Sequence, residues 1–368
     1  MRVAFYAPLK PPGHPIPSGD RRIARLFLEA LRRAGHQPFV ASRLRSFDNQ
    51  GVAGHQAGLA ALAQRTTERL LRQWRSTPEH APELWFTYHL YYKAPDWLGP
   101  AVSAALGIPY VIAEASYAAK RASGAWASAH RAVERALRQA DAVIGLNSAD
   151  REGVASLLRD PRGWFALPPF LDAAAYPVRQ PYSSESPRLI AVAMMRPGDK
   201  LASYRVLGAA LAQLLDLPWS LEIVGDGPAR GEIEQALAPI GTRITYRGAL
   251  DDAAVADALA NADLCVWPAI NEAFGMALLE AQAAGLPVIA GASGGVGDIV
   301  VSGVTGLLVP VGDADAFAAT TRRLIIDPAA RTAMGIAAQQ KVRREHDLPV
   351  AAARLAGLID SLGRRRAA

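Results

Sequence analysis

The sequence predicts an α/β protein built of two doubly wound domains, each a parallel sheet covered by helices on both faces. Three observations carry this. The chain has 368 residues, more than one ordinary domain holds. Strand-like and helix-like stretches alternate along most of it, which is the pattern of a parallel sheet. The alternation stops once, at 176–187, where the apolar period is lost and three prolines fall close together. The expected domains are therefore 1–182 and 183–348, with a terminal helical segment at 349–368.

Residues 1–7 are a short β-prone run, followed by a loop rich in Pro and Gly. From Asp20 the pattern turns helical. Ile23, Leu26, Phe27, Ala30 and Leu31 fall at i, i+3, i+4, i+7 and i+8, and Gly35 stands where a C-cap would. Residues 38–42 give a second strand and 59–74 a helix with an Arg-bearing outer face. Then come a strand at 83–89, a helix at 97–106, a strand at 109–113, a helix at 125–140 and a strand at 142–147. After the break, strands are expected at 188–194, 221–224, 244–247, 264–267, 288–290 and 306–309, with helices between and a last helix over 349–362. Two such sheets facing each other leave a cleft at their carboxyl ends, where ligands bind in this architecture.

Half of the residues are hydrophobic and a fifth are charged, a soluble globular balance. No run of 18 apolar residues suggests a membrane span. The start reads as a first strand rather than a signal peptide. The single cysteine, Cys265, lies in an apolar run, cannot form an internal disulfide and is expected to pack in the core. These features point to the cytoplasm. The net charge of +6 is uneven: residues 1–185 carry 23 Lys and Arg against 15 Asp and Glu, the remainder 17 against 19. A basic first half suits an anionic partner, although an Arg-rich source genome accounts for it equally well. The basic positions lack interleaved aromatic platforms, so no nucleic-acid partner is expected.

The segment richest in chemistry runs from 262 to 290. A strand ends near Pro268, a loop carrying Gly275 follows, and a helix is expected from about Gly275 to Ala284. A helix that starts there presents free backbone N–H groups and about half a unit of positive charge, so a diphosphate or a sugar hydroxyl fits at its start. Gly275 lets the backbone approach a ligand closely. Glu272 stands just before the helix, and Glu280 lies a little over two turns on. On local physics alone two readings stand: a ligand site, or a helix-dipole partner at Glu272 with a surface acid at Glu280. The apolar neighbours Leu278, Leu279 and Ala281 weigh against a plain solvated face at Glu280.

These residues resemble the signature of the large retaining glycosyltransferase family numbered four, whose fold is termed GT-B. Glu272 and Glu280 match its E-x7-E motif, with Phe274-Gly275 in the expected place. The likeness continues through Ala283-Ala284-Gly285-Leu286-Pro287-Val288, Gly294-Gly295-Val296 and Gly303-Val304-Thr305-Gly306-Leu307-Leu308-Val309. It covers nearly all of 188–312, with a weaker trace before. The resemblance implies a hexosyltransferase that moves a sugar from a nucleoside diphosphate sugar to an acceptor hydroxyl with retention, and needs no metal or other cofactor. It implies that Arg196 and Lys200 clamp the donor diphosphate, where two cations can neutralise a departing phosphate. By the same resemblance Glu272 takes sugar hydroxyls, and the amides around Phe274, Gly275, Met276 and Ala277 take phosphate or sugar oxygens. Glu280 takes the ribose, Leu250 lies in the stretch that reads the base through backbone groups, and Gly19 approaches the phosphates and acceptor. The turn Ile223-Val224-Gly225-Asp226-Gly227-Pro228 matches a structural element. The implied partners are the donor and a glycan or lipid-linked acceptor in surface polysaccharide or glycolipid synthesis. Together with Arg65, Arg69, Arg72 and Arg75 this suggests peripheral association with the inner face of a membrane.

The chain departs from the pattern twice. The family's Gly-Gly-x-Pro-Glu reads Gly294-Gly295-Val296-Gly297-Asp298 here. The histidine that many members carry at the end of the fourth strand is absent from Val111-Ile112-Ala113-Glu114-Ala115-Ser116-Tyr117. Glu114, Tyr117 and Lys120 are candidates for the acceptor side, and His89 is an alternative. Asp313-Ala314-Asp315 spells a metal-binding string of a different fold, but it precedes a helix start where Asp is the expected cap. No G-x-G-x-x-G follows the first strand, which argues against a nicotinamide dehydrogenase. A nucleotide-sugar epimerase of the same architecture and a non-catalytic nucleotide-sugar-binding protein remain as alternatives.

Overall fold

A computed structural model describes residues 1–16, 18–177 and 185–367. The chain divides into two compact units, one of Met1–Pro168 with Leu348–Ala368 and one of Pro169–Asp347. Residues 178–184 of the segment read as a linker lie outside the described residues.

The first unit holds β1 (Arg2–Tyr6), α1 (Gly19–Arg33), β2 (Gln37–Ser42), α2 (Ala53–Ser76), β3 (Leu84–Leu90), α3 (Gly99–Leu106), β4 (Tyr110–Ala115), α4 (Ala127–Gln139), β5 (Ala142–Gly145), α5 (Arg151–Ala155) and β6 (Trp164–Ala166). Its sheet is parallel throughout, in the order β2-β1-β3-β4-β5-β6. The winding reverses between β1 and β3, and the crevice outside the carboxyl ends of those strands is where such sheets bind ligands. Helix α1 buries Ile23, Ala24, Phe27, Leu28, Ala30 and Leu31 on one face, and Ser18 Oγ caps it by accepting from Arg21 N at 3.2 Å.

Three elements exceed the sequence reading: the start of α2, the short helix α5 and strand β6. Helix α2 begins six residues early because polar contacts, not apolar period, anchor its first turn. Buried Gln56 donates from Nε2 to Asp48 Oδ2 and to the Ala125 carbonyl at 3.3 and 3.0 Å. Strand β6 was not expected: it is three residues long at the sheet edge, and its Trp164 ring covers Gly145, where a Cβ would come within 2.0 Å of it.

The second unit holds β7 (Arg188–Val192), α6 (Asp199–Leu211), β8 (Ser220–Val224), α7 (Arg230–Leu237), β9 (Ile244–Gly248), α8 (Asp252–Ala260), β10 (Leu264–Trp267), α9 (Met276–Ala283), β11 (Val288–Gly291), α10 (Val296–Ile299), β12 (Gly306–Val309), α11 (Ala314–Ile326) and α12 (Pro328–Lys341). This sheet is also parallel, in the order β12-β11-β10-β7-β8-β9. Its winding reverses between β7 and β10. Strands β10 and β11 are buried along their whole length, which explains their unbroken apolar runs. Cys265 is buried in β10, and burial, with the charge of Glu280 second, pushes its thiol up to about 12. Asp313 caps α11 by accepting from Ala316 N at 2.8 Å. The last helix, α13 (Leu348–Ala367), packs on α1 in the first unit.

Candidate functional site

In the second unit, Lys200 and Glu272, two of the residues singled out by the sequence, meet at the point where the sheet reverses. Arg196 and Lys200 follow β7, with Lys200 in the first turn of α6, and Glu272 follows β10. Lys200 Nζ and Glu272 Oε2 lie 2.5 Å apart, both side chains more than two-thirds buried. Trp267 Nε1 donates to the same Glu272 oxygen at 3.3 Å, and its indole lies beneath the Lys200 ammonium at 5.3 Å. Glu272 N donates to Ser293 Oγ at 3.1 Å, which ties the loop to the segment after β11. Arg196 is exposed in the loop between β7 and α6.

The loop between β10 and α9 runs through unusual backbone. Ala269 and Asn271 have φ of +54° and +51°, and Gly275 caps α9 at +75°. Such conformations cost non-glycine residues on the order of 1 kcal/mol or more each, and persist where the surroundings hold them. At Gly275 a Cβ would sit 3.0 Å from Leu278 and 3.3 Å from Glu272 Cγ. At Gly294, φ +49°, it would meet the Glu272 carbonyl at 2.3 Å. Both glycines therefore let neighbouring backbone close around Glu272. Helix α9 starts with Met276 and Ala277 directly after this loop, and first-turn amides have no intrahelical acceptor. Phe274 is buried. Glu280 is 4% exposed, so it is not a solvated surface acid. Leu250 is half-buried in the loop between β9 and α8.

A separate cluster stands in the first unit, at the corresponding reversal. Gly19 opens α1 with free space where a Cβ would be. Asp20, next to it, lies 3.2 Å from His89 Nδ1, and Glu114 Oε1 lies 3.7 Å from the same nitrogen. His89 and Glu114 end adjacent strands in left-handed backbone, at φ +64° and +57°. Burial opposes charge on His89, yet Glu114, Asp20 and Asp150 outweigh it and hold the imidazolium up to about 9. Burial raises the Glu114 carboxyl against the pull of His89. Glu114 Oε2 is buried, and the Tyr88 hydroxyl faces the same carboxyl. Of the four acceptor-side candidates, the structure brings together His89 and Glu114. Tyr117 packs on His130 at 4.8 Å, and Lys120 is exposed in a short turn. The sequence reading passed over Asp20, although it adjoins Gly19. Among the described residues, no group of three or more His, Cys, Asp or Glu side chains could hold a metal ion.

Residues 186–327 match the family model described as Glycosyl transferases group 1. The chain is 32% identical over 297 residues to 2-deoxystreptamine N-acetyl-D-glucosaminyltransferase of Streptomyces fradiae, covering 74% of this chain and 68% of that protein. It is 33% identical over 148 residues to a GDP-mannose-dependent monoacylated alpha-(1-6)-phosphatidylinositol monomannoside mannosyltransferase of Corynebacterium glutamicum. That match takes in 38% of this chain and only 39% of the relative's length. The solved structure of Anabaena Alr3699/HepE in complex with UDP and glucose shares the fold, with a TM-score of 0.71 at 18% identity over 98% of this chain and 100% of that one. With two six-stranded parallel sheets of GT-B type and a relative of this similarity over most of both lengths, the chain belongs to the group 1 glycosyltransferases.

Proposed function

We propose that the chain transfers a sugar from a nucleoside diphosphate sugar to an acceptor hydroxyl with retention at the anomeric carbon. The observation that carries this reading is the joining of Lys200 and Glu272 where the second sheet reverses, ahead of the start of α9. A bound UDP and glucose in the Anabaena structure supports a donor of this chemical class. Arg196 and Lys200 neutralise the leaving diphosphate, and the amides at Phe274, Gly275, Met276 and Ala277 hold phosphate or sugar oxygens. Glu272 accepts from sugar hydroxyls and Glu280 from the ribose, while backbone at Leu250 meets the base. The acceptor oxygen bonds to the anomeric carbon on the face from which the diphosphate leaves. The bond from that carbon to the diphosphate oxygen breaks, and the acceptor proton passes to the departing oxygen. Catalysis is then mainly positioning and charge stabilisation, and the two cations take the part a metal would otherwise play.

Calorimetric titration of UDP, GDP, ADP and CMP into wild type and Glu280→Ala tests the donor half. One nucleotide is expected to bind, and the variant to bind it roughly 10- to 100-fold more weakly, the worth of charge-assisted hydrogen bonds to a ribose. Binding of none of the four overturns the reading.

On the acceptor side the proposal falls to His89, Asp20 and Glu114, with Gly19 leaving room beside them. Glu114→Gln is expected to keep donor affinity and lose roughly tenfold or more in transfer rate, measured with donor saturating. Equal transfer by variant and wild type removes Glu114 from the acceptor site. We also propose that the enzyme works at the cytoplasmic face of a membrane on a lipid-linked or glycan acceptor, in building surface polysaccharide or glycolipid. Arg65, Arg69, Arg72 and Arg75 are all exposed along α2, an array suited to anionic headgroups. No helix of the described residues is long and apolar enough to cross a membrane. Co-sedimentation with anionic vesicles at low salt is expected, and its absence ends the membrane proposal.

A further inference from the structure

The residues beside Lys200 and Glu272 are paired as well. Asp199 precedes the lysine and Asn271 precedes the glutamate. Asn271 Nδ2 donates to Asp199 Oδ2 at 2.8 Å. One residue earlier, Ile270 N donates to Ser203 Oγ at 3.0 Å, and Ser203 Oγ in turn donates to the Asp199 carbonyl at 2.8 Å. Three successive loop residues, 270, 271 and 272, are thus each held by a residue near the start of α6: Ser203, Asp199 and Lys200.

The three contacts are not equivalent. Lys200–Glu272 joins the two groups that must turn to the diphosphate and the sugar under the reading above. The other two join groups that reading leaves idle. Asp199 and Asn271 are exposed, where a hydrogen bond contributes little to global stability. Asn271 is held in left-handed backbone, which Asn tolerates better than most residues. An acid in the first turn of α6 also suits the helix dipole, but that explains the carboxylate and not its asparagine partner across the crevice.

We propose that Asp199, Ser203 and Asn271 are positioning residues: a latch that keeps the 269–275 loop in register with α6 while Lys200 and Glu272 release each other to take the donor. The inference rests on the donor reading given above. With the latch closed, parting the ion pair moves two side chains. With it open, parting the pair frees a strained loop, and misplacement of about 1 Å at a reacting group can cost on the order of 100-fold in rate.

The test uses the full chain in four variants. Asn271→Gly removes the side chain and tolerates the backbone. Asn271→Asp sets a second carboxylate against Asp199. Asp199→Asn removes the charge, and the double variant Asp199→Asn/Asn271→Asp rebuilds the pair with its roles exchanged. Two readouts are taken. Hydrogen exchange across 269–275 needs no ligand, and nucleoside diphosphate release is followed from UDP-glucose, GDP-mannose and ADP-glucose. Asn271→Asp is expected to speed exchange in the loop by about tenfold or more. It should lower kcat roughly 10- to 100-fold with KM nearly unchanged and leave the unfolding midpoint in place. Asn271→Gly should fall between it and wild type, and the double variant should recover most of both losses. The latch is refuted if Asn271→Asp matches wild type in exchange, or if the double variant stays as impaired as Asn271→Asp. Wild type that turns over none of the three donors speaks against the donor reading instead, and exchange alone then decides the latch.

Discussion

Replacing Lys200 by alanine is expected to lower donor turnover by roughly 10²–10³-fold while the protein stays folded. Two effects combine. The ammonium that would meet the developing charge on the diphosphate is gone. The Glu272 carboxylate, 19% exposed, is left with the 3.3 Å contact from Trp267 as its remaining side-chain donor. An unpaired, largely buried carboxylate is costly and will draw in water or turn away. Glu272→Gln should give a loss of similar size by a different route, because its amide nitrogen can face the ammonium and push it aside. Arg196→Ala should behave like the lysine variant, with less effect on the apo protein because Arg196 is exposed. Steady-state kinetics with the donor identified by calorimetry decide the matter. Wild-type turnover by both Glu272→Gln and Arg196→Ala would sink the assignment of this site.

The two sheets were legible because parallel strands buried on both faces need unbroken apolar runs, and the sequence has them. Residues 264–267 and 306–309 are strands at the bounds their apolar pattern predicts. The start of α2 was not legible, because Gln56 and Asp48 meet through a hydrogen bond that no periodicity reports. Nor was β6, whose three residues carry too little pattern to rise above a loop.

The residues proposed for the donor, Glu272 and Lys200, could be picked out one by one, because both match positions of the family's motif. Their partners could not. Asp199 and Asn271 are 72 positions apart and read singly as a helix-start acid and a loop polar residue. His89 read as a lone histidine, for the same reason: Asp20 and Glu114 reach it only once β1, β3 and β4 lie side by side. The reversal of strand order, which brings distant strand ends together, is the step that sequence spacing does not contain.

Gly225→Ala is expected to destabilise the second unit by about 3 kcal/mol or more, lowering its unfolding midpoint by roughly 6–12 °C. Gly225 has φ of +145°, a region nearly reserved for glycine, and a Cβ there would lie 1.9 Å from the Ala193 carbonyl oxygen. That neighbour is backbone, fixed by Ala193 N donating to the Val224 carbonyl at 3.0 Å, so it has nowhere to retreat. Gly227 repeats the arrangement two residues on, with its would-be Cβ 2.3 Å from the Met195 carbonyl oxygen. The two glycines therefore let the 193–196 segment lie against the turn after β8, and that segment carries Arg196. Gly231→Ala is the matched control. It sits at an exposed position of α7 with nothing within 4 Å of its would-be Cβ, and alanine there should stabilise by about 0.4–1 kcal/mol. Thermal unfolding of the two variants separates a glycine required by close backbone from one that merely starts a helix. If Gly225→Ala proves as stable as wild type, the 193–196 segment is free to move, and the placement of Arg196 does not depend on the turn beneath it.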